Sequence, residues 1–257
     1  VKELFHTLLL LLGLAVSADA YTVAYTSFEE PVIPVNVNNV PASNYQDLGN
    51  PAVDHALANT PGFVTPVVYT STGGELGFTA HYVNSRGGTG LADGGGLNGV
   101  NNFVNEAILA ATHGTQRYLL SDVDGRVTVT LDSVDLTGLI APAVSLDYFF
   151  RSSSYETGDF ARIWVEVDDG MSSSEIVLLD TQPSDIDDLG LEGFWTSVSA
   201  PLPAGTMATL KFQADTDTAG EMLGIDNIRF TAVPEPASLL LIGLGLAIFP
   251  SLGRRKR

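Results

Sequence analysis

An all-β fold, a single antiparallel β-sandwich, is predicted by three features of the middle of the chain. Apolar and polar residues alternate with period two in a series of short runs. Asp-Gly and Gly-Gly punctuation falls between those runs, and no apolar stretch of helical period exceeds about three turns.

The runs come in order. Ala24, Thr26 and Phe28 alternate with Tyr25, Ser27 and Glu29, and Val127, Val129 and Leu131 with Arg126, Thr128 and Thr130. Val144, Leu146, Tyr148 and Phe150 alternate with Ser145, Asp147 and Arg151. Ala161, Ile163, Val165 and Val167 oppose Arg162 and Glu166, and Leu210, Phe212 and Ala214 oppose Lys211 and Gln213. Such alternation marks half-buried antiparallel strands. Asp168-Asp169-Gly170 should turn Arg162–Val167 back into Glu175–Leu179, and Asp122-Val123-Asp124-Gly125 should lead into Val127–Leu131. Leu76–Tyr82 reads as a strand inside a glycine-rich, loop-dominated stretch, Thr70–Val104. Pro41–Leu48 and Ala52–Leu57 are the two places where single short helices are expected.

Both ends of the chain read as targeting segments. Lys2, the apolar run Leu8–Val16 and the Ala18-Asp19-Ala20 site predict a helical secretory signal peptide over residues 1–20, cleaved before Tyr21. At the other end, Val233-Pro234-Glu235-Pro236 is followed by an uncharged apolar run, Ala237–Leu252, and then by Arg254, Arg255, Lys256 and Arg257. As a hydrophobic helix that run would be about 24 Å long against a hydrocarbon core of about 30 Å, a marginal span. The cations after it favour a cytoplasmic C-terminus. The globular part is therefore expected over residues 21–232. Five of the 12 basic and three of the 30 acidic residues lie in the two flanks, which leaves 7 and 27, a net charge of −20. That balance argues against nucleic acid and suits hard cations. With no cysteine, disulfides, thiolate catalysis and zinc–thiolate sites are excluded.

The tail resembles the PEP-CTERM sorting signal of exported bacterial proteins, with Pro234, Glu235 and Pro236 as its tripeptide. The resemblance implies residues 233–257 as the signal and an exosortase-type transpeptidase, after the export machinery, as the processing partner. It also implies transient anchoring in the inner membrane and a final place at the outer surface of a Gram-negative-type bacterium that makes extracellular polysaccharide. The ends of the globular part, Phe28-Glu29-Glu30 and Gly224-Ile225-Asp226-Asn227-Ile228-Arg229-Phe230, are similar to galactose-binding-like carbohydrate-binding jelly rolls. There a Glu of the first strand and an Asp of the last often share a structural Ca²⁺, which implies Glu29, Glu30 and Asp226 as candidate ligands. Parity places Asp226 on the face of Ile228 and Phe230, inward at the rim of the core. Hydrogen bonds from nearby backbone N–H groups are the alternative use for that carboxylate.

Other chemistry finds little support. Gly94-x-Gly96-x-x-Gly99 fits the dinucleotide fingerprint only if it opens a helix, and its loop-rich surroundings speak against an organic cofactor. His55, His81 and His113 lie far apart without a second ligand at metal spacing. Asp185, Asp187 and Asp188, and again Asp215, Asp217 and Glu221, read as solvated acidic loops sooner than cation sites. Trp164 and Trp195 are packing residues before they are sugar platforms. The expected function is a non-catalytic structural or interaction protein of the envelope or matrix. Calcium-dependent carbohydrate binding is the second reading, and a glycan-active enzyme, for which no motif is found, the third.

Overall fold

The computed structural model describes residues 19–34, 45–88, 90–93 and 96–234. The expected signal peptide up to Ala18 and the tail from Glu235 onward lie outside the described residues, as does Pro41–Asn44. What is described is antiparallel β-structure in two sheets.

The first sheet runs β12 (Trp195–Pro201), β9 (Ile140–Phe150), β14 (Met222–Val233), β6 (Arg117–Ser121), β5 (Leu97–Asn101), with β1 (Tyr21–Thr26) also on β14. The second runs β11 (Ser173–Asp180), β10 (Phe160–Asp168), β13 (Met207–Thr216), β7 (Gly125–Leu131), β4 (Phe78–Val83), β3 (His55–Asn59), β2 (Tyr45–Asp47), with β8 (Val134–Asp135) on β13. The hairpin at Asp168-Asp169-Gly170 is present, with Val167 opposite Ser174 and Gly170 at φ +85°. The two short helices are not. Tyr45–Asp47 and His55–Asn59 pair as a hairpin, Tyr45 opposite Asn59. There Leu57 turns inward between exposed Ala56 and half-buried Ala58, a strand pattern too short to be told from a helical turn by periodicity.

Alternation becomes packing between the sheets. Val127, Val129, Ile163, Val165, Leu210 and Phe212 of the second sheet face Val144, Leu146, Ile225, Ile228 and Phe230 of the first, all buried. Phe28, Phe78, Tyr118 and Phe212 meet edge-to-face with ring centroids 5.4–5.7 Å apart. Each such pair adds about 0.5–1.5 kcal/mol beyond its buried area.

A second, smaller cluster lies on the outer side of the first sheet, where Leu97, Leu119, Phe149 and Met222 pack against Ile108. Phe103, Leu109 and Trp195 close around it, and Trp195 Nε1 donates to Ala110 O at 2.8 Å. The loop between β5 and β6 is thereby held across half of that face. Trp195 is a packing residue.

Candidate functional site

Asp226 sits where β14 changes neighbour. On one edge β14 pairs with β6 through residues 222–225 and with β1 through residues 228–232, leaving a gap at Asp226-Asn227. On the other edge Asp226 faces Asp147 and Arg229 faces Ser145, so β14 spends three steps where β9 spends two. The extra residue is a bulge, with Asn227 in the left-handed region at φ +51°. Parity flips there. Asp226 lies on the outer face, under the β5–β6 loop, and only Ile228 and Phe230 point into the core. The inward placement read from alternation is thus corrected by one inserted residue.

The three proposed ligands do not converge. Asp226 is fully buried and accepts from Thr112 N at 2.7 Å, His113 N at 2.9 Å and Asn227 N at 2.6 Å. Glu29 accepts from Thr115 N and Gln116 N, both at 2.6 Å. Gly114 lies between these donors, at φ +73°, and a Cβ there would come 2.3 Å from Glu29 Oε1. Glu30 turns the other way, to Tyr69 Oη at 2.9 Å and the backbone N of Glu75 at 3.4 Å. Glu29 and Asp226 thus serve one purpose. They satisfy the peptide N–H groups of Thr112, His113, Thr115 and Gln116, which fall in the gap between the end of β1 and the start of β6. Backbone donors occupy these carboxylates, so the residues present fit a hydrogen-bonded seam rather than a cation shared by all three. Burial pushes Asp226 up to about 6 against the pull of those donors.

A denser acidic group stands at the end of the sandwich where β13 passes into β14. Glu156, Asp159, Asp217 and Glu221 bring one oxygen each within 4.8 Å of the others. Arg86, from the loop after β4, ties them down through Asp215 at 2.6 Å, Asp217 at 2.5 Å and a close contact with Asp159. Burial lifts Glu221 to about 7 and Asp159 to about 6. Glu156 is held low by hydrogen bonding with Glu221 and Asp159. For Arg86, burial works against the charge, but Asp215 and Asp159 keep it above its usual range. The loops read as solvated are therefore a cross-linked knot. Arg86, Glu156 and Asp159 were not legible as its members, since Arg86 lies 70 residues before Glu156 and 73 before Asp159, and these lie 61 and 58 residues before Asp217. The oxygen-only donor set is of the type Ca²⁺ takes, while burial of Asp159 and Glu221 keeps a sugar ring from reaching them. Asp187 accepts from Tyr155 N at 3.3 Å, Asp185 is half-buried and Asp188 stays exposed.

The outer face of the second sheet is different in kind. Arg162, Gln213, Thr128 and His81 are direct partners across β10, β13, β7 and β4, with Asp180 of β11 at one end. Beside this row run Trp164, Lys211, Thr130 and Thr79. At about 4.8 Å per strand, the row from β11 to β4 spans about 19 Å. Its side chains are half-buried or exposed, and Gln213 Nε2 donates to Thr128 Oγ1 at 2.7 Å. Trp164 is only 6% exposed, with the Arg162 guanidinium 4.8 Å from its ring centroid. It braces Arg162 and leaves no open platform. Charge on this face is balanced: Arg162 pairs with Glu175 at 2.7 Å and Lys211 with Glu166 at 2.7 Å.

The histidines stay apart, His81 near Asp54 at 3.3 Å and His55 near Asp47 at 2.5 Å. Gly96 and Gly99 lead into and lie within β5, a strand, so the glycine fingerprint opens no helix there; Gly94 and Gly95 lie outside the described residues.

Residues 232–257 match the PEP-CTERM protein-sorting motif. The chain thus carries the sorting signal of an exported protein that is membrane-anchored before processing by an exosortase. Among curated proteins no sequence matches. Similar solved structures include TmCBM61 in complex with β-1,4-galactotriose, at 14% identity and a TM-score of 0.35, covering 51% of this chain and 79% of that one. The CBM22-1 xylan-binding domain of Paenibacillus barcinonensis Xyn10C shows 17% identity and a TM-score of 0.32, over 72% and 96% of the two chains. A xylan-binding domain from CBM 22 shows 12% and 0.34, over 64% and 89%. At these scores no ligand or site transfers.

Proposed function

We propose that the protein is an exported, non-catalytic interaction module that binds uncharged stretches of extracellular polysaccharide on the outer face of its second sheet. The observation that carries this reading is the registered row Arg162, Gln213, Thr128 and His81. An extended glycan crossing the strands would meet a fresh donor or acceptor at each strand, a spacing comparable to one sugar ring. Amide and hydroxyl groups of this type hydrogen-bond sugar hydroxyls in either direction, and the guanidinium donates to them. A neutral glycan suits the face because its own charges are already paired and the mature domain carries a strong negative charge that repels polyanions. Glu166 and Glu175 are each bound to Lys211 or Arg162, which supports binding over acid–base chemistry there.

The test is an array of neutral and acidic polysaccharides probed with the full chain, run beside a reducing-end assay on each hit. Retention of neutral glycans without new reducing ends supports the proposal. Turnover, or retention of acidic glycans alone, contradicts it.

A further inference from the structure

We propose that the end of the sandwich from which the tail departs is a membrane-docking surface, built to rest on the lipid bilayer while the tail is anchored. Four large apolar side chains that the core does not use are exposed at this end: Tyr21 at 44%, Ile140 at 37%, Met171 at 95% and Met207 at 37%. They come from four separate places in the chain, and the ladders put them together. Tyr21 faces Ala232 and Ile140 faces Val233, the last residues of β14. Met207 faces both Asp135 and Asp168, and Met171 is the tip of the hairpin that follows Asp168. The turn after β8 carries the chain from the second sheet to Ile140 of the first at this end, with Leu136 N donating to Thr206 O at 2.9 Å beside Met207.

The occupant follows from where the chain goes next. Only Pro234, Glu235 and Pro236 separate Val233 from the uncharged run Ala237–Leu252. Three extended residues reach at most about 10 Å. A tail anchored in the hydrocarbon therefore keeps this end of the sandwich within reach of the headgroup layer, and the side chains there decide whether it rests on that layer or tilts away. A protein surface in that layer gains from apolar and aromatic groups, and the exposed tyrosine and methionines supply them. Asp168 and Asp169 lie at the same end, but their carboxylates accept turn N–H groups of Gly170, at 2.6 Å, and of Met171 and Ser172, at 2.8 and 2.7 Å. Their negative charge selects a zwitterionic over an anionic surface. The opposite end, about 37 Å away along the 12 residues of β14, carries the Arg86 knot, and its exposed apolar groups, Leu189 at 38% and Phe194 at 50%, stand in chain segments that also carry Asp187, Asp188 and Glu192.

The inference rests on anchoring by the tail, and its test separates the two. Because the chain has no cysteine, single-cysteine labels are unambiguous. Full chain would be reconstituted in phosphatidylcholine vesicles, with a fluorophore at Thr137→Cys near the docking end, or at Thr157→Cys at the far end. Quenching by lipids spin-labelled near the headgroup is read for each. Docking predicts strong quenching at position 137, little at 157, and loss of most of the quenching at 137 in an Ile140→Ser/Met171→Ser/Met207→Ser background. These residues are exposed, and an unchanged melting curve shows that the triple variant still folds. Equal quenching at both positions, or quenching at 137 that the triple variant leaves intact, overturns docking. Protection at 137 that appears only when the processing enzyme is co-reconstituted assigns the surface to that enzyme and likewise overturns it. A chain that fails to float with the vesicles overturns the anchoring itself, and docking with it.

Discussion

Thr112 Oγ1 lies 2.6 Å from an oxygen of Asp147 and 3.0 Å from one of Asp226, so a single hydroxyl joins two buried carboxylates that face each other across β9 and β14. The hydroxyl has one proton to give. The remaining demand of Asp147 is met by Ser197 Oγ at 2.5 Å and Asn227 Nδ2 at 3.0 Å, and that of Asp226 by the peptide groups of residues 112, 113 and 227. The seam between the first and last strands is closed by hydrogen bonds to carboxylates.

Replacing Asp226 by Ala strands those peptide donors in a buried place. The expected loss is about 2–4 kcal/mol of stability, since bonds to charged acceptors contribute about 1.5–3 kcal/mol and orphaned donors add to the cost. Urea unfolding of wild type and variant, each in Ca²⁺ and in chelator, measures it. The loss should be the same in both media. A loss seen only in Ca²⁺ would place a cation at the seam.

Asn227 occupies the left-handed region, which costs a branched side chain about 1–2 kcal/mol. Asn227→Gly should be close to neutral, although it gives up the bond to Asp147. Asn227→Val should lower the melting temperature clearly. Equal melting of the two variants would mean that the bulge is not what turns the strand.

The Arg86 knot sets an unusual pH response. Burial lifts Glu221 to about 7 and Asp159 to about 6, so at pH 5–6 the folded protein holds protons that the unfolded chain has released. Stability from these protons is complete below the ordinary carboxylate range, near pH 4, and is lost as pH rises through about 6 to 7. The melting temperature should fall over that interval, and Glu221→Gln should flatten the fall. A melting temperature that rises across it in wild type would reverse the assignment.

Strands and the central hairpin were legible because each is written locally: alternation in Ala161–Val167 and turn chemistry at Asp168-Asp169-Gly170 leave little freedom. The bulge at Asn227 was not. A single extra residue changes no local pattern, yet it moves Asp226 from the core face to the outer face. Long-range ion pairing was equally hidden. Arg86 meets Asp215 across 129 positions, and nothing near Arg86 in the chain announces a buried partner. The row Arg162, Gln213, Thr128, His81 requires the registers of three ladders at once, and sequence supplies the parity of each strand without the alignment between them.

Binding of a neutral polysaccharide by the full chain, titrated calorimetrically for wild type and for Arg162→Ala/Gln213→Ala, tests the proposed role of the second sheet most directly. Both side chains stand outside the core, so the variant should keep its melting temperature within a few degrees. The predicted result is saturable binding by wild type and at least about tenfold weaker binding by the variant, equivalent to about 1.4 kcal/mol. Unchanged affinity in a folded variant, or no binding by wild type to any neutral glycan, would contradict it.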